Sequence, residues 1–465
     1  MKFNFTPKAA LLLFLLPLFS VAQTKNTART IFGQTVQSVN PKNGFIRCAS
    51  TEYEQSLLEK NPLRANTEAF ETWLAPKVAA AKANIQNNKV NAVVQIPVVV
   101  HVIHNGDAVG TSENISDARV LSQITVLNQD FRKMTGTPGY NTNAVGADME
   151  IEFVMAVRKP DGTATNGIDR VNLSRASWAS ETLVEGTLKP QTSWDPTKYF
   201  NIWVCAFSDS SSADLYGTLG YAQFPSSSGL GGLEVNEGEA NTDGVIIDWR
   251  CFGSSDYVTG NYFFDDYDKG RTATHEIAHC FGLRHIWGDN TSCVINATDS
   301  RKDYCPDTPA ATEEHYDCAQ VYNTCTAAAG NDMTENYMDY SNDTCMNIFT
   351  LDQKGRMMAV LQNSPRRLDL LASTVAQTLA TASFDKLSTI RLYPNPASTV
   401  VNIYSNASNL PDSYAVYNSL GQMVANSKVV SVADLTINTS AYNSGVYFIK
   451  VLKDGAVKTL QFVKN

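Results

Sequence analysis

The sequence predicts an α+β chain in which a mixed domain of strands and helices is followed by a small all-β sandwich. Three observations predict it. A β-branched run at residues 94–103 precedes a helix-period segment at 116–132, residues 286–350 are rich in cysteine and loops, and short alternating strands begin near residue 390.

In chain order, Lys2 and Lys8 precede an apolar run from Ala9 to Phe19, and Ser20-Val21-Ala22 offers small residues for cleavage. The run is too short to span a bilayer, so residues 1–22 read as a signal peptide, and no later stretch reads as a transmembrane anchor. Residues 23–90 are polar, with a helical pattern near 67–85 and no convincing strand; so thin an apolar content suits a prosegment better than an independent domain.

Val94-Gln95-Ile96-Pro97-Val98-Val99-Val100-His101-Val102-Ile103 reads as a strand from its β-branched content. The next helix places Val120, Ile124, Leu127 and Phe131 at spacings of three and four. Further strands are predicted at 151–157, 200–207 and 244–249. This domain spans 91–371, and the Ala, Ser and Thr-rich segment 372–389 reads as a linker. In residues 390–465, strands at 400–404, 415–417, 435–437 and 446–451 suggest the sandwich. The net charge of −9, without a long basic stretch, argues against a nucleic-acid partner.

The chemistry concentrates in His275-Glu276-Ile277-Ala278-His279-Cys280-Phe281-Gly282-Leu283-Arg284-His285. Residues four apart on a helix differ by only about 40° around the axis, so His275 and His279 share a face and can grip one Zn²⁺. Glu276 lies about 100° round, placed to hold a water and accept its proton as general base. Gly282 lets the chain end the helix at positive φ and bring His285 back as a third ligand. Three neutral imidazoles leave a coordination position for water, which suits a catalytic site. The chain has six histidines, and three fall in this one motif. His101 and His104 read as partly buried strand residues and His315 as a solvated loop residue.

His-Glu-x-x-His-x-x-Gly-x-x-His is the metzincin motif, and Asn336-Tyr337-Met338-Asp339-Tyr340 resembles the methionine turn of that clan. Asp289, Asp307-Thr308-Pro309, Cys345-Met346-Asn347-Ile348-Phe349-Thr350 and Val126-Leu127-Asn128-Gln129-Asp130-Phe131-Arg132 resemble the pappalysin family, over about residues 94–365. The resemblance implies a two-lobed zinc peptidase domain with a twisted sheet and an active-site helix. It implies that Met338 floors the metal site and that Tyr340 donates to the developing oxyanion.

Nine cysteines suit an exported protein. Those at 293, 318, 325 and 345 allow three pairings, and the sequence alone does not choose. Similarity to pappalysins selects Cys293–Cys325 and Cys318–Cys345. Cys305 departs from the family pattern, and Cys205, Cys251 and Cys280 read as buried or unpaired. The oxygen-rich stretch 299–308 lies where pappalysins bind Ca²⁺, with Asp303 and Thr308 as the candidates. Cys48 can act as a zinc ligand that excludes water. Relatives carry a similar Arg-Cys-Gly switch, and Ala49 stands here in place of the glycine.

Leu392-Tyr393-Pro394-Asn395-Pro396, Leu420-Gly421-Gln422 and Ser444-Gly445-Val446-Tyr447 resemble the C-terminal sorting domain of type IX secretion. That implies the secretion machinery as partner and a route through the periplasm to the cell surface or medium. The expected function is a secreted zinc-dependent endopeptidase, made latent, that hydrolyses proteins or peptides with water activated by Glu276. A non-catalytic surface adhesin or binding protein on the same fold would be favoured by loss of Glu276 or a zinc histidine, and all four are present.

Overall fold

The computed structural model describes residues 29–87, 93–227, 240–262, 266–293, 303–377, 390–405, 410–453 and 456–465, with Met1 and Leu387. The expected signal peptide therefore lies outside the described residues, apart from Met1, as does most of the linker. The chain divides into two compact units, Met1–Ala376 and Gln377–Asn465.

The first unit opens with β1 (Thr30–Ile31) and β2 (Gln34–Thr35), an antiparallel pair in a stretch expected to hold no strand. Phe32 and Gly33 between them both have positive φ, the conformation a two-residue hairpin requires. Strands of two residues carry no periodicity, which is why they left no trace in the sequence pattern. Two helices follow, α1 (Ser50–Lys60) and α2 (Thr67–Gln86), the second capped by the Asn66 side chain on the Ala69 amide at 2.9 Å.

Then come β3 (Val94–His104), α3 (Asp117–Phe131), β4 (Ile151–Met155) and β5 (Ile168–Asn172). Short helices α4 (Glu181–Leu183) and α5 (Lys189–Thr192) bracket a π-helical turn, Val184–Leu188. They lead to β6 (Phe200–Cys205), β7 (Gly220–Ala222), β8 (Gly244–Asp248), α6 (Arg271–Cys280), α7 (Leu351–Leu361) and α8 (Arg367–Ala372).

The sheet order is β4-β3-β6-β8-β7, and β5 pairs with the far half of β3. All pairings are parallel except β7 with β8, so β7 is an antiparallel edge strand. β3 is buried on both faces, as a central parallel strand must be. Ile96, Val98, Val100 and Val102 join one core with Ile124 and Leu127 of α3 and Ile277 of α6. Ile103, Trp203 and Ile246 on the other face join a second core with Tyr53 and Leu57 of α1. His101 is fully buried, deeper than expected, with Nδ1 2.8 Å from Asp169 and Nε2 2.9 Å from Asn201.

Residues 286–350 contain no helix or strand among the described residues, and cross-links take their place. Disulfides join Cys293 to Cys325 and Cys318 to Cys345. Cys48, Cys205, Cys251, Cys280 and Cys305 are free and buried. His315 corrects the expectation of a solvated residue: it is buried, with Nδ1 2.9 Å from Asp339 and Nε2 3.1 Å from Asp332. Two carboxylates supply in the interior the polar partners that water would supply outside.

The second unit comprises β9 (Arg391–Tyr393), β10 (Val400–Tyr404), β11 (Ser413–Asn418), β12 (Met423–Lys428), β13 (Thr436–Asn438), β14 (Gly445–Lys453) and β15 (Ala456–Lys464). They form antiparallel sheets ordered β13-β10-β9 and β12-β11-β14-β15, with Val401, Ile403, Val416, Ile449, Val451 and Phe462 in the shared core.

Burial alone would lower the His315 pKa, but hydrogen bonds and charge from Asp332 and Asp339 raise it from 6.5 to about 10. A raised pKa means that the clamp stabilises the fold fully below the unfolded value and loses that contribution as pH rises through the folded one. Between about pH 7 and pH 10 the melting temperature of the wild type should fall further than that of His315→Gln. Parallel pH profiles from calorimetry would refute the clamp.

Candidate active site

The placement of α6 begins with its ends. Gly270 precedes it at φ +81°, and no side chain caps it. The Asp343 carboxylate instead accepts from the Lys269 and Arg271 amides at 3.0 and 3.1 Å, setting negative charge at the positive end of the helix. Asp130 of α3 accepts from Arg271 Nη2 at 3.2 Å and Thr274 Oγ1 at 2.8 Å, fixing the rotation of the helix. At the other end Leu283 N donates to Ala278 O at 3.0 Å and Gly282 N to His279 O at 2.9 Å, the paired bonds of a Schellman stop. Gly282 has φ +88°, and a Cβ there would lie 2.6 Å from Val360 Cγ2 of α7. Both facts demand glycine.

That stop folds His285 back onto the helix. The Nε2 atoms of His275, His279 and His285 lie 3.1–3.2 Å from one another. Each Nδ1 has its own acceptor: Tyr337 O at 2.6 Å, Leu283 O at 2.8 Å and Asp289 Oδ1 at 2.6 Å. With every Nδ1 donating, each neutral ring presents an Nε2 lone pair, and three lone pairs converge on one point. Such a cluster repels itself unless a cation stands between, so the residues present fit a zinc ion. Burial and the neighbouring imidazoles hold His275 well below its ordinary pKa, and burial does the same to His279. Burial acts likewise on His285, but the Asp289 carboxylate outweighs it and raises the value.

Glu276 is fully buried beside the cluster. Its Oε2 accepts from Ser50 Oγ at 2.7 Å and from Cys48 Sγ at 3.3 Å, and burial pushes its carboxyl up to about 7. Cys48 Sγ and the three histidine nitrogens all lie within 4.8 Å of one another. Burial, then the Glu276 charge, raises the Cys48 thiol; a bound cation would reverse that.

Residues 46–50 run along β7 in the parallel sense. Ile46 N donates to Gly217 O at 2.9 Å, Ala49 N to Gly220 O at 3.1 Å and Ala222 N to Ser50 Oγ at 2.8 Å. Ala49 has φ −119°, so this approach needs no glycine. Arg47 is fully buried, with Nη2 2.9 Å from Asp343 Oδ1, Nη1 2.6 Å from Thr272 Oγ1 and the Tyr267 ring 4.9 Å beneath its guanidinium.

Tyr340 packs edge-on to His285, with ring centroids 4.9 Å apart, and its hydroxyl donates to Cys48 O at 3.4 Å. Met338 is buried, and its carbonyl accepts from Ile286 N at 3.4 Å. Asp303 and Thr308 are buried and bonded to each other, and neither belongs to the histidine cluster. The remaining oxygen-rich positions before residue 303 lie outside the described residues. Sequence reasoning missed Ser50 and the pairing of Arg47 with Asp343. An arginine next to Cys48 was the only signal, because its partner lies 296 positions away.

Two imidazoles and an adjacent buried glutamate on one helix, with a third imidazole folded back onto them, define a zinc metallopeptidase. The description "Pregnancy-associated plasma protein-A" matches residues 253–362, and "Secretion system C-terminal sorting domain" matches residues 391–465. An extracellular metalloprotease of Colletotrichum graminicola is 32% identical over 269 residues, covering 57% of this chain and 76% of the relative. One from Arthroderma benhamiae is 28% identical over 291 residues, covering 63% of this chain and 83% of the relative. The structure of mature mirolysin from Tannerella forsythia, in complex with a cleaved peptide, is 37% identical with TM-score 0.50, covering 61% of this chain and 97% of that one. A promirolysin mutant of the same species is 32% identical with TM-score 0.52, covering 70% and 97%. The chain belongs to the pappalysin family of metallopeptidases. It is a zinc endopeptidase with a secretion sorting domain, and its destination is the cell surface or the medium.

Proposed function

We propose that this endopeptidase is made as a latent precursor in which residues 23–90 fill the cleft and Cys48 takes the metal position that water needs. Residues 1–22 are its signal, 91–371 the catalytic domain, 372–389 a linker and 390–465 the sorting domain. The observation that carries the reading is Cys48 Sγ within 4.8 Å of all three histidine nitrogens. The match to promirolysin also covers more of this chain than the match to mature mirolysin, 70% against 61%.

His275, His279 and His285 hold the zinc. Bound zinc supplies Lewis acidity that polarises a peptide carbonyl and acidifies water. Glu276 holds the attacking water and takes its proton, a role suited to a carboxyl raised toward neutrality by burial. Tyr340 donates to the oxygen on which charge develops. Met338 underlies the histidines without chemistry. Asp343 loses a buried partner when Arg47 leaves, and a basic side chain of the substrate can take that seat. Asp303 and Thr308 contribute to a structural Ca²⁺ site. No observation favours the non-catalytic adhesin.

Glu276→Gln should retain zinc and lose about 10²–10⁴-fold in peptidase rate, because the amide cannot accept a proton. Zinc content and hydrolysis measured together check this; a wild-type rate would sink the mechanism. Cys48→Ala, in a precursor with its processing site blocked, should gain activity without cleavage. Unchanged latency would mean that steric cover by the other anchors suffices. Calcium should raise the melting temperature at fixed zinc, by about 2.7 kcal/mol of stability at a hundredfold excess over Kd. No shift would remove Asp303 and Thr308 from the calcium reading.

A further inference from the structure

A second buried ion cluster joins the prosegment to the catalytic framework, further along the β7 edge than Arg47. Glu71 of α2 accepts from Arg356 Nη1 at 2.7 Å, Arg356 Nη2 at 2.5 Å and Arg284 Nε at 2.9 Å. Burial would raise the Glu71 carboxyl, but the two guanidiniums outweigh it and hold it low. Both arginines are tied to the active-site helix. Arg284 immediately precedes His285, and Arg356 of α7 donates to Gly282 O at 2.6 Å. Neutral contacts hold the pair as well. The Tyr304 ring lies 5.8 Å from Arg284 and 5.2 Å from Arg356, and the Phe224 ring lies 5.7 Å from Arg284. Phe224 also packs on His279, with centroids 5.0 Å apart. Prosegment residues Arg64 and Phe70 line the same recess as Phe224, Pro225 and both arginines.

We infer that, once residues 23–90 are removed, Arg284 and Arg356 form a subsite of the mature enzyme that binds a carboxylate side chain of the peptide substrate. This rests on the prosegment reading above. Departure of Glu71 leaves two guanidiniums side by side in a partly desolvated recess. Gly282 O and the flanking rings restrain them from moving apart. An uncompensated buried charge is costly, and the planar fork of arginine matches a carboxylate in two-point fashion.

The position of the recess fits a substrate strand. Residues 46–50 pair with residues Gly217 to Ala222 along the β7 edge, and Phe224 and Pro225 follow β7 directly in the chain. The Asp343 seat lies at the Arg47 end and the two arginines at the other, with Cys48 between. At about 3.3 Å per residue, an extended peptide would meet the two seats roughly four to six residues apart. The prosegment itself fills them with an arginine and a glutamate.

The test digests a mixed peptide library with the active mature enzyme, whose N-terminus is sequenced first. Asp and Glu should be enriched at one position, on the opposite side of the scissile bond from the basic residue. Matched peptides with Glu or Gln at that position should then differ about tenfold in kcat/KM. Arg284→Gln should bring the ratio toward one, and raised salt should shrink it in the wild type. An active form that keeps Glu71 attached would overturn the prosegment reading and this subsite with it. An active form lacking Glu71 that shows a ratio near one at every position would overturn the subsite alone.

Discussion

Everything at the active site depends on three imidazole nitrogens being aimed at one point, and that depends on the nitrogens facing away. An imidazole free to rotate or change tautomer is a poor ligand. Here a carbonyl of the methionine turn, a carbonyl of the chain just past the helix and the Asp289 carboxylate each engage one Nδ1. The stop at Gly282 supplies the second of these and delivers His285 as well, so one backbone conformation serves two ligands. Asp343 and Asp130 hold the start of the same helix. A helix of ten residues has little intrinsic stability, and these anchors and its complete burial hold it instead.

The first ninety residues use the same catalytic framework from outside. Their apolar contribution goes to both cores: Ile31, Ile46, Tyr53 and Leu57 against the far face of the sheet, and Phe45, Phe70, Leu74 and Ala81 in the core that holds α3 and α6. Their polar contribution is unusual, because Arg47 and Glu71 both enter the interior as charges. Buried ion pairs add little net stability, since desolvation offsets their attraction. Their geometric demands are strict, however, and they fix where the segment lies. With Arg47 in its seat, Cys48 has little choice of position. Arg47, Cys48 and Ser50 therefore act as one unit that spans Asp343, the histidine cluster and Glu276.

What the sequence made legible follows from how local each signal is. The motif from His275 to His285 is contiguous, so the clustering of its histidines, the carboxylate beside them and the bend at Gly282 could be read from spacing alone. Strands such as β3 and β10 were legible because β-branched runs and alternation survive in a single sequence. β1, β2 and β7 have two or three residues each and show no period, although β7 is the edge that receives the segment around Cys48. His315 was misread because its burial comes from Asp332 and Asp339, which a linear reading treats as one more acidic loop. The pairs Arg47–Asp343 and Glu71–Arg356 were invisible for the same reason: their members are separated by most of the catalytic domain, and nothing local marks an arginine as buried.

The cysteines impose an order of events on the maturing chain. Cys205 lies on a central strand and Cys280 on the helix that carries His275 and His279, and both stay reduced in the interior; Cys251 and Cys305 are likewise sequestered. The two bonds that form lie in a region without helices or strands of its own. A thiolate exposed in an oxidising compartment exchanges with any disulfide it can reach. Correct connectivity therefore requires that the sheet and helix close over their thiols before the loop cysteines are oxidised. Hydrophobic collapse takes up to about 100 μs in chains of roughly 100 residues and disulfide formation or reshuffling takes seconds to hours, so the kinetic window favours that sequence of steps. Premature oxidation would trap the chain with a core cysteine cross-linked to the loop, and escape would depend on reshuffling.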